Sequence, residues 1–540
     1  MLGDRLVAKD PRNSEEISGE GPLLGTAADT HGPSESLTEA TVSGGAWRTM
    51  SVFGSALMQL SASIFLARLL TPSEFGTMAL VAIVVGFTNN LAFLGVGTAL
   101  VQRRQINRDY VAAAWTLSLI GGLAGFGIVA ACAPLLARLV GDPSISRVFV
   151  ATSPILFLVG LRTCSLALLR RQMKFRQLMV VDLVSYGLGY ALVAVSLALL
   201  GWGVWSLVTA LLCQGVVACV AALSLSRHST RLGLNAAAVR DIFHFAGGMT
   251  ASGLASYFAL NGDNFVVGRT LGTSALGLYT RAYYLMNLPL SYVLQVLSQV
   301  LLPAYSRAQA DRTRMTRGYL MSVYLVFVIA SPAMMSVLVT APYLIRSLFG
   351  ARWEGAILPL QVFAIFGAFR ATYNLGGTIA QASGKPWSEF LRQVLYASLV
   401  VGGAAIGSRW GIVGVAWGTG FAITVMYVAM ARLSHDLLGF PWRSFAGAHG
   451  TGLACGLLVL AMGMGANQVL LESHWPDLAV LICLLAVCFG TAVAAVSLLP
   501  RSWRPDGVER VVSVALRMAP RRLGNLLTTV LRITGPASQA

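Results

Sequence analysis

The sequence predicts an all-α polytopic membrane protein of about fourteen transmembrane helices, arranged as two pseudo-symmetric six-helix bundles followed by two C-terminal helices. Three observations predict it. Of 540 residues, 56% are hydrophobic and only 11% charged, with a mean hydropathy of +0.70, a balance that belongs to polytopic membrane proteins. Fourteen apolar segments can be marked along the chain, each long enough at ~1.5 Å per residue to cross or nearly cross a ~30 Å hydrocarbon core. Finally, short motifs of the first half recur in the second at nearly constant shifts.

Taken in order, residues 1–46 hold eight acidic and three basic side chains and lack the apolar core of a signal peptide, so they are expected to form a disordered, acidic cytoplasmic tail. The apolar segments follow at approximately 49–70, 76–100, 111–136, 148–168, 178–200, 203–225, 243–265, 283–305, 318–340, 357–380, 388–408, 411–433, 446–466 and 478–499. They divide the chain into an N-terminal six-helix bundle (47–240), a C-terminal one (241–440), helices 13 and 14 (441–500) and a basic tail (501–540). In that tail apolar and arginine positions alternate at helical spacing, which fits either an amphipathic helix on the anionic inner leaflet or a merely topogenic cluster.

Translocated loops are depleted in Arg and Lys, and alternate connections here differ sharply. One side carries 24 such residues; the other carries eight, namely Arg68, Arg138, Arg147, Arg269, Arg281, Arg346, Arg352 and Arg409. Both termini are therefore expected in the cytoplasm. The formal net charge of +17 is explained by these loops, and no nucleic-acid partner is expected. All seven cysteines fall inside apolar segments without zinc-ligand or CxxC spacing, so neither a metal site nor a disulfide framework is expected.

The repeat is visible in two places. Arg68-Leu69-Leu70-Thr71-Pro72-Ser73-Glu74-Phe75-Gly76 returns as Arg269-Thr270-Leu271-Gly272-Thr273-Ser274-Ala275-Leu276-Gly277, a shift of 201, with Arg, Leu, Ser and Gly in place. A shift of 208 carries Arg162 onto Arg370 and Trp202-Gly203-Val204 onto Trp410-Gly411-Ile412. Two copies of six spans share one orientation and are related by an axis along the membrane normal, enclosing a central site.

Arg370 lies near the middle of the apolar stretch 357–380. A charge at that depth costs at least ~2.5–3.5 kcal/mol on insertion scales, which marks it as a functional-site candidate. Its repeat mate Arg162 is the second candidate, although Asp182 on the next span lies near enough in depth to neutralise it as a structural ion pair. For Arg370 the nearest acid by this reckoning is Glu389, about a dozen Å shallower. Polar residues at helical spacing extend the candidate lining: Asn374 one turn beyond Arg370; Tyr257, Asn261 and Asn264 on span 7; Ser51, Ser55, Gln59 and Ser63 on span 1; and Ser291, Gln295 and Gln299 on span 8. Hydrogen bonding between helices is the simpler use of such residues. Asp263 and Asp182 are the candidates for coupling to a proton or sodium ion, no other cofactor being expected, and Asp263 could equally pair with Arg269. Pro154, Pro289 and Pro332 are expected to interrupt or kink their spans.

The motifs R-L-L-T-P-S-E-F-G after span 1, A-L-V-Q-R-R after span 2, L-L-R-R-Q-M-K-F after span 4 and L-G-W-G-V-W-S-L-V entering span 6 resemble the Wzx-type polysaccharide flippases of the MATE-like MOP superfamily. The resemblance runs from about residue 45 to 500. It implies a V-shaped pair of bundles in the bacterial inner membrane that moves undecaprenyl-diphosphate-linked oligosaccharide from the cytoplasmic to the periplasmic leaflet by alternating access, with membrane lipids and other polysaccharide-assembly proteins as partners. Guanidinium groups bind phosphate oxygens in bidentate fashion, so two inward arginines suit a pyrophosphate cargo. Two other readings compete. A MATE-like multidrug antiporter should carry an acid-rich cavity, and a membrane polysaccharide polymerase or ligase should carry a large outward loop. No nucleophile motif, Gly-rich phosphate loop or HExxH supports an enzyme or an ATP-driven pump.

Overall fold

The computed structural model describes residues 54–103, 105–307, 311–383, 386–472 and 474–498, so the expected acidic N-terminal tail, Ser51 and the expected basic C-terminal tail lie outside the described residues. The described chain is α-helical with short π and 3-10 pieces. In order these are α1 (54–69), α2 (Pro72–Gln102), α3 (Arg108–Val140), α4 (Ile145–Thr152), α5 (Pro154–Arg171) and α6 (Phe175–Val184). A π segment, Ser185–Leu192, joins α6 to α7 (Val193–Leu199), after which come α8 (Val204–Ser226) and the long α9 (Ala236–Arg307). The second half continues through α10 (Arg312–Leu348), a 3-10 turn (Ala351–Ala356), α11 (Ile357–Ala382), α12 (Pro386–Gly407), α13 (Gly411–Leu438), α14 (Trp442–Leu471) and α15 (Asp477–Leu498). Helix is present in each of the fourteen expected segments. Among the described residues ten stretches are long and apolar enough to cross a membrane, one of which, Trp387–Leu438, spans nearly all of α12 and all of α13.

Local chemistry sets many of the ends. Pro72 opens α2, and the Glu74 carboxylate accepts from the Thr71 backbone N–H at 2.6 Å and from its hydroxyl at 2.9 Å, closing the first turn. The Asn107 carbonyl caps α3 by accepting from the Tyr110 N–H at 2.8 Å, and Asp311 caps α10 by accepting from Arg314 at 3.0 Å. Pro154 separates α4 from α5, as expected of it, whereas Pro289 and Pro332 lie within α9 and α10 without ending either helix. Gly272, at φ 85° and ψ 176°, breaks α9 into two arms, residues 236–271 and 273–307.

In the first half α5 packs on α3 and α8, and in the second α13 packs on α11 and α12. Lipid gives helices no hydrophobic reason to associate, so close backbone approach must supply the contact. Gly403 and Gly407 of α12 lie directly against Gly418 and Gly414 of α13, and a Cβ on any of the four would strike backbone across the interface. Outside the repeat, α14 packs along α10, and α15 fits against both.

The repeat mates share conformation. Gly203 and Gly411, which open α8 and α13, have φ of 54° and 70°, values that glycine adopts readily and most other residues do not. The mates also meet. A Cβ on Gly76 would overlap the Thr273 carbonyl oxygen, and one on Gly277 would overlap the Pro72 carbonyl oxygen; Pro72 and Thr273 are themselves 201 apart. Such reciprocal contact is the signature of a two-fold relation between the halves.

Candidate functional site

Arg370 sits midway along α11, and the second arm of α9 turns Tyr283 and Asn287 toward it, with Tyr279 on the same face bonded to Asp263. Tyr279, Tyr283 and Asn287 recur every four residues and so share one helical face. The Arg370 Nε donates to the Asn287 Oδ1 at 3.1 Å, and the guanidinium carbon lies 5.0 Å from the centre of the Tyr283 ring. Tyr373 and Tyr396 are buried within its electrostatic reach. Nη1 is buried and has no hydrogen-bond partner among the described residues. A guanidinium carries five N–H donors, so an unmet one beside a polar lining leaves capacity for an anion. Asn374, one turn on, is exposed and donates to the Arg370 carbonyl at 3.0 Å.

The acid nearest Arg370 in effect is Asp263, not Glu389. Asp263 is only 4% exposed and accepts from the Tyr279 hydroxyl at 2.7 Å, from the Asn264 N–H at 2.8 Å and, at a long 3.4 Å, from Thr419. Its hydrogen bonds come from these groups and not from Arg269, which is exposed. Buried carboxylates need such donors. The Asn264 side-chain oxygen beside it is buried without a partner. Arg370 and Asp263 thus act on one another through a shell of tyrosines, each hydrogen-bonded by neutral groups.

Arg162 has separate company. The groups within its electrostatic reach are Asp182 of α6, Cys219 of α8 and Arg170, all in the first half. The structure does not gather Arg162 and Arg370 around one set of groups. On span 7 the Tyr257 hydroxyl donates to the Ile83 carbonyl of α2 at 2.6 Å, and the Asn261 amide donates to the Tyr257 carbonyl at 3.0 Å, which makes them joints within and between helices. Ser291 bonds its own helix. The side chains of Gln295 and Gln299 lie outside the described residues.

Sequence reasoning missed Tyr283, Asn287 and Thr419, although the four-residue spacing of Tyr279, Tyr283 and Asn287 was a readable signal. It also misplaced Arg281. Counted above among loop cations, Arg281 lies within the helical second arm of α9, half-buried, and donates to the Ser63 hydroxyl of α1 at 2.9 Å.

A model of the family described as polysaccharide biosynthesis protein matches residues 65–358, more than half of the chain. The chain belongs to that family. The resemblance read from the motifs is borne out. Among similar proteins, the succinoglycan biosynthesis transport protein ExoT of Rhizobium meliloti (strain 1021) is 29% identical over 320 residues, covering 59% of this chain and 64% of that protein, just under two thirds of its length. The lipopolysaccharide biosynthesis protein WzxC of Escherichia coli (strain K12) is 25% identical over 398 residues, covering 71% of this chain and 78% of that one. Among solved structures, the lipid II flippase MurJ in an inward closed conformation superposes with a TM-score of 0.68 at 13% identity, over 83% of this chain and 98% of the other. An inward-facing MATE multidrug resistance transporter of the MOP superfamily gives 0.59 at 16%, over 70% and 94%. The two structural likenesses establish the fold of this family member, an all-α helical membrane protein.

Proposed function

We propose that this family member is a flippase that moves undecaprenyl-diphosphate-linked oligosaccharide units from the cytoplasmic to the periplasmic leaflet by alternating access, in a bacterial inner membrane with both termini in the cytoplasm. The family match over residues 65–358 carries the reading, supported by relatives named for succinoglycan and lipopolysaccharide biosynthesis. Arg370 supplies chemistry that suits such a cargo: a cation inside a membrane helix, with its Nη1 unpartnered among the described residues, is matched to phosphate oxygens. In this reading the protein translocates and does not catalyse, and its neighbours in the membrane are lipids and other assembly proteins.

Asp263 is the coupling candidate. Its buried carboxylate, wrapped by Tyr279, Thr419 and the Asn264 N–H, is placed to exchange a proton or sodium ion while Arg370 stands within its field; Asp182, engaged with Arg162, is the second. A multidrug antiporter built on the same fold is the competing reading, and the two buried arginines weigh against a cavity made for cations. A leaflet assay decides between them. Purified protein in vesicles should move a fluorescent polyprenyl-diphosphate oligosaccharide and leave lipophilic cations unmoved; the opposite pattern would replace the flippase reading with the antiporter.

A further inference from the structure

Arg281 lies on the face of the second arm of α9 turned away from Arg370. At ~100° per residue, Tyr283 and Asn287 point one way while Arg281 points the other. That other face looks across to the first half, and three of its elements converge on the guanidinium. Ser63 of α1 accepts from Nη1; the Phe75 ring of α2 lies 4.1 Å from the guanidinium carbon; Tyr186 and Tyr190 of the π segment, stacked on each other with centroids 5.3 Å apart, lie within its electrostatic reach. No acid is among these groups, and Nε is buried without a partner. A half-buried cation satisfied by one hydroxyl and aromatic faces is a cation awaiting an anion. The π segment points the same way, since such insertions gather at functional sites.

The surroundings of Arg281 also join the halves. Phe75 precedes Gly76, whose backbone packs on Thr273, and Gly277 is one turn before Arg281. The Ser73 and Thr273 hydroxyls lie 2.8 Å apart across this seam. Beyond it, the Phe75 ring meets Trp353 edge-on with centroids 5.3 Å apart, and the Trp353 indole N–H donates to the Ala67 carbonyl of α1 at 2.8 Å. Arg281 is therefore one helical turn from the closure and in contact with a ring that forms part of it.

We propose that Arg281 is a second anion-reading site, which takes the diphosphate of the cargo in exchange for Ser63 and Phe75, and that this exchange loosens the Gly76–Gly277 closure. The inference rests on the flippase reading and deepens it. A cation–π contact contributes about 0.5–2 kcal/mol, whereas fork-shaped, charge-assisted bonds to phosphate oxygens are roughly twice as strong as neutral ones, so a diphosphate that reaches Arg281 displaces the ring. Phe75 then loses the cation against which it packs beside the seam. Arg370, on α11 and packed against the opposite face of that arm, cannot play this part.

A cross-link reads the closure directly. With Ser73→Cys and Thr273→Cys in the full-length protein, the paired positions are close enough for a disulfide, whose yield reports the closed seam. Addition of a long-chain polyprenyl diphosphate should lower that yield several-fold, and the corresponding monophosphate should do less. In Arg281→Gln the diphosphate response should require at least about tenfold more ligand, the loss of a charge-assisted bond, while Arg281→Lys retains part of it. The cross-link yield without ligand serves as the check that each variant is folded and closed. An Arg281→Gln protein that answers the diphosphate as the parent does would overturn the proposal while leaving the flippase intact. A parent that neither binds the diphosphate nor flips the labelled cargo would remove the flippase reading, and this inference with it.

Discussion

The unpartnered Nη1 of Arg370 sets the most direct expectation. Replacing Arg370 with Gln removes the charge but keeps a donor for Asn287, so folded protein should reach the membrane at parental levels while cargo accumulates on the cytoplasmic leaflet. The loss of a charge-assisted contact should weaken flipping by at least about tenfold, with Arg370→Lys intermediate. Normal flipping by a well-folded Arg370→Gln protein would remove the residue from the mechanism, and loss of folded protein would make it a structural counter-charge to Asp263 instead. Tyr257→Phe tests the opposite kind of residue. Its hydroxyl bonds a backbone carbonyl that belongs to a helix, so the variant should lose about 1 kcal/mol of stability in a melting measurement and still flip cargo; abolished flipping in a stable variant would make Tyr257 part of the lining. At this scale the sequence revealed charges well and aromatics poorly. An arginine stands out in an apolar run, but Tyr283, Tyr373 and Tyr396 read as ordinary core until Arg370 is seen among them. Arg281 was hidden because it falls at the edge of an apolar segment, where helix and loop look alike.

Among the elements, the crossing of α2 with the second arm of α9 tolerates no side chain at its centre. Gly277→Val should force the two backbones apart, destabilise the closed arrangement by at least about 1–3 kcal/mol and depress the Ser73–Thr273 cross-link, whereas Gly402→Val, at a position facing open space, should do neither. Equal cross-linking in the Gly277→Val protein would mean that the seam is not a tight contact. Apolar length and turn residues located the helices, since Pro72, Asn107, Asp311 and Gly272 act through local backbone chemistry that any reader of the chain can apply. The π segment at Ser185–Leu192 left no such trace: a slip in the hydrogen-bond ladder changes neither composition nor periodicity over eight residues.

For the whole molecule, the arginine asymmetry fixes an orientation that fusions can check. Reporters at Asp142 and Asp477 should report the periplasm and one at Arg312 the cytoplasm; a reversed signal at Arg312 would undo the assignment of the two faces. Removing residues 1–44 should leave insertion and flipping intact, because that segment is too polar to join a packed core. The two-fold relation was readable from four matching residues in nine, but its physical meaning was not, since nothing in a sequence says that Gly76 and Gly277 touch. That contact has a consequence for how such a protein can diversify. The seam is built from main chain at Pro72, Gly76, Thr273 and Gly277, which is the same atoms whatever the residue, while the groups facing the interior are side chains. Lining positions can therefore drift toward a new glycan one substitution at a time without altering how the door shuts. The hinge and the lock on this design are inherited separately.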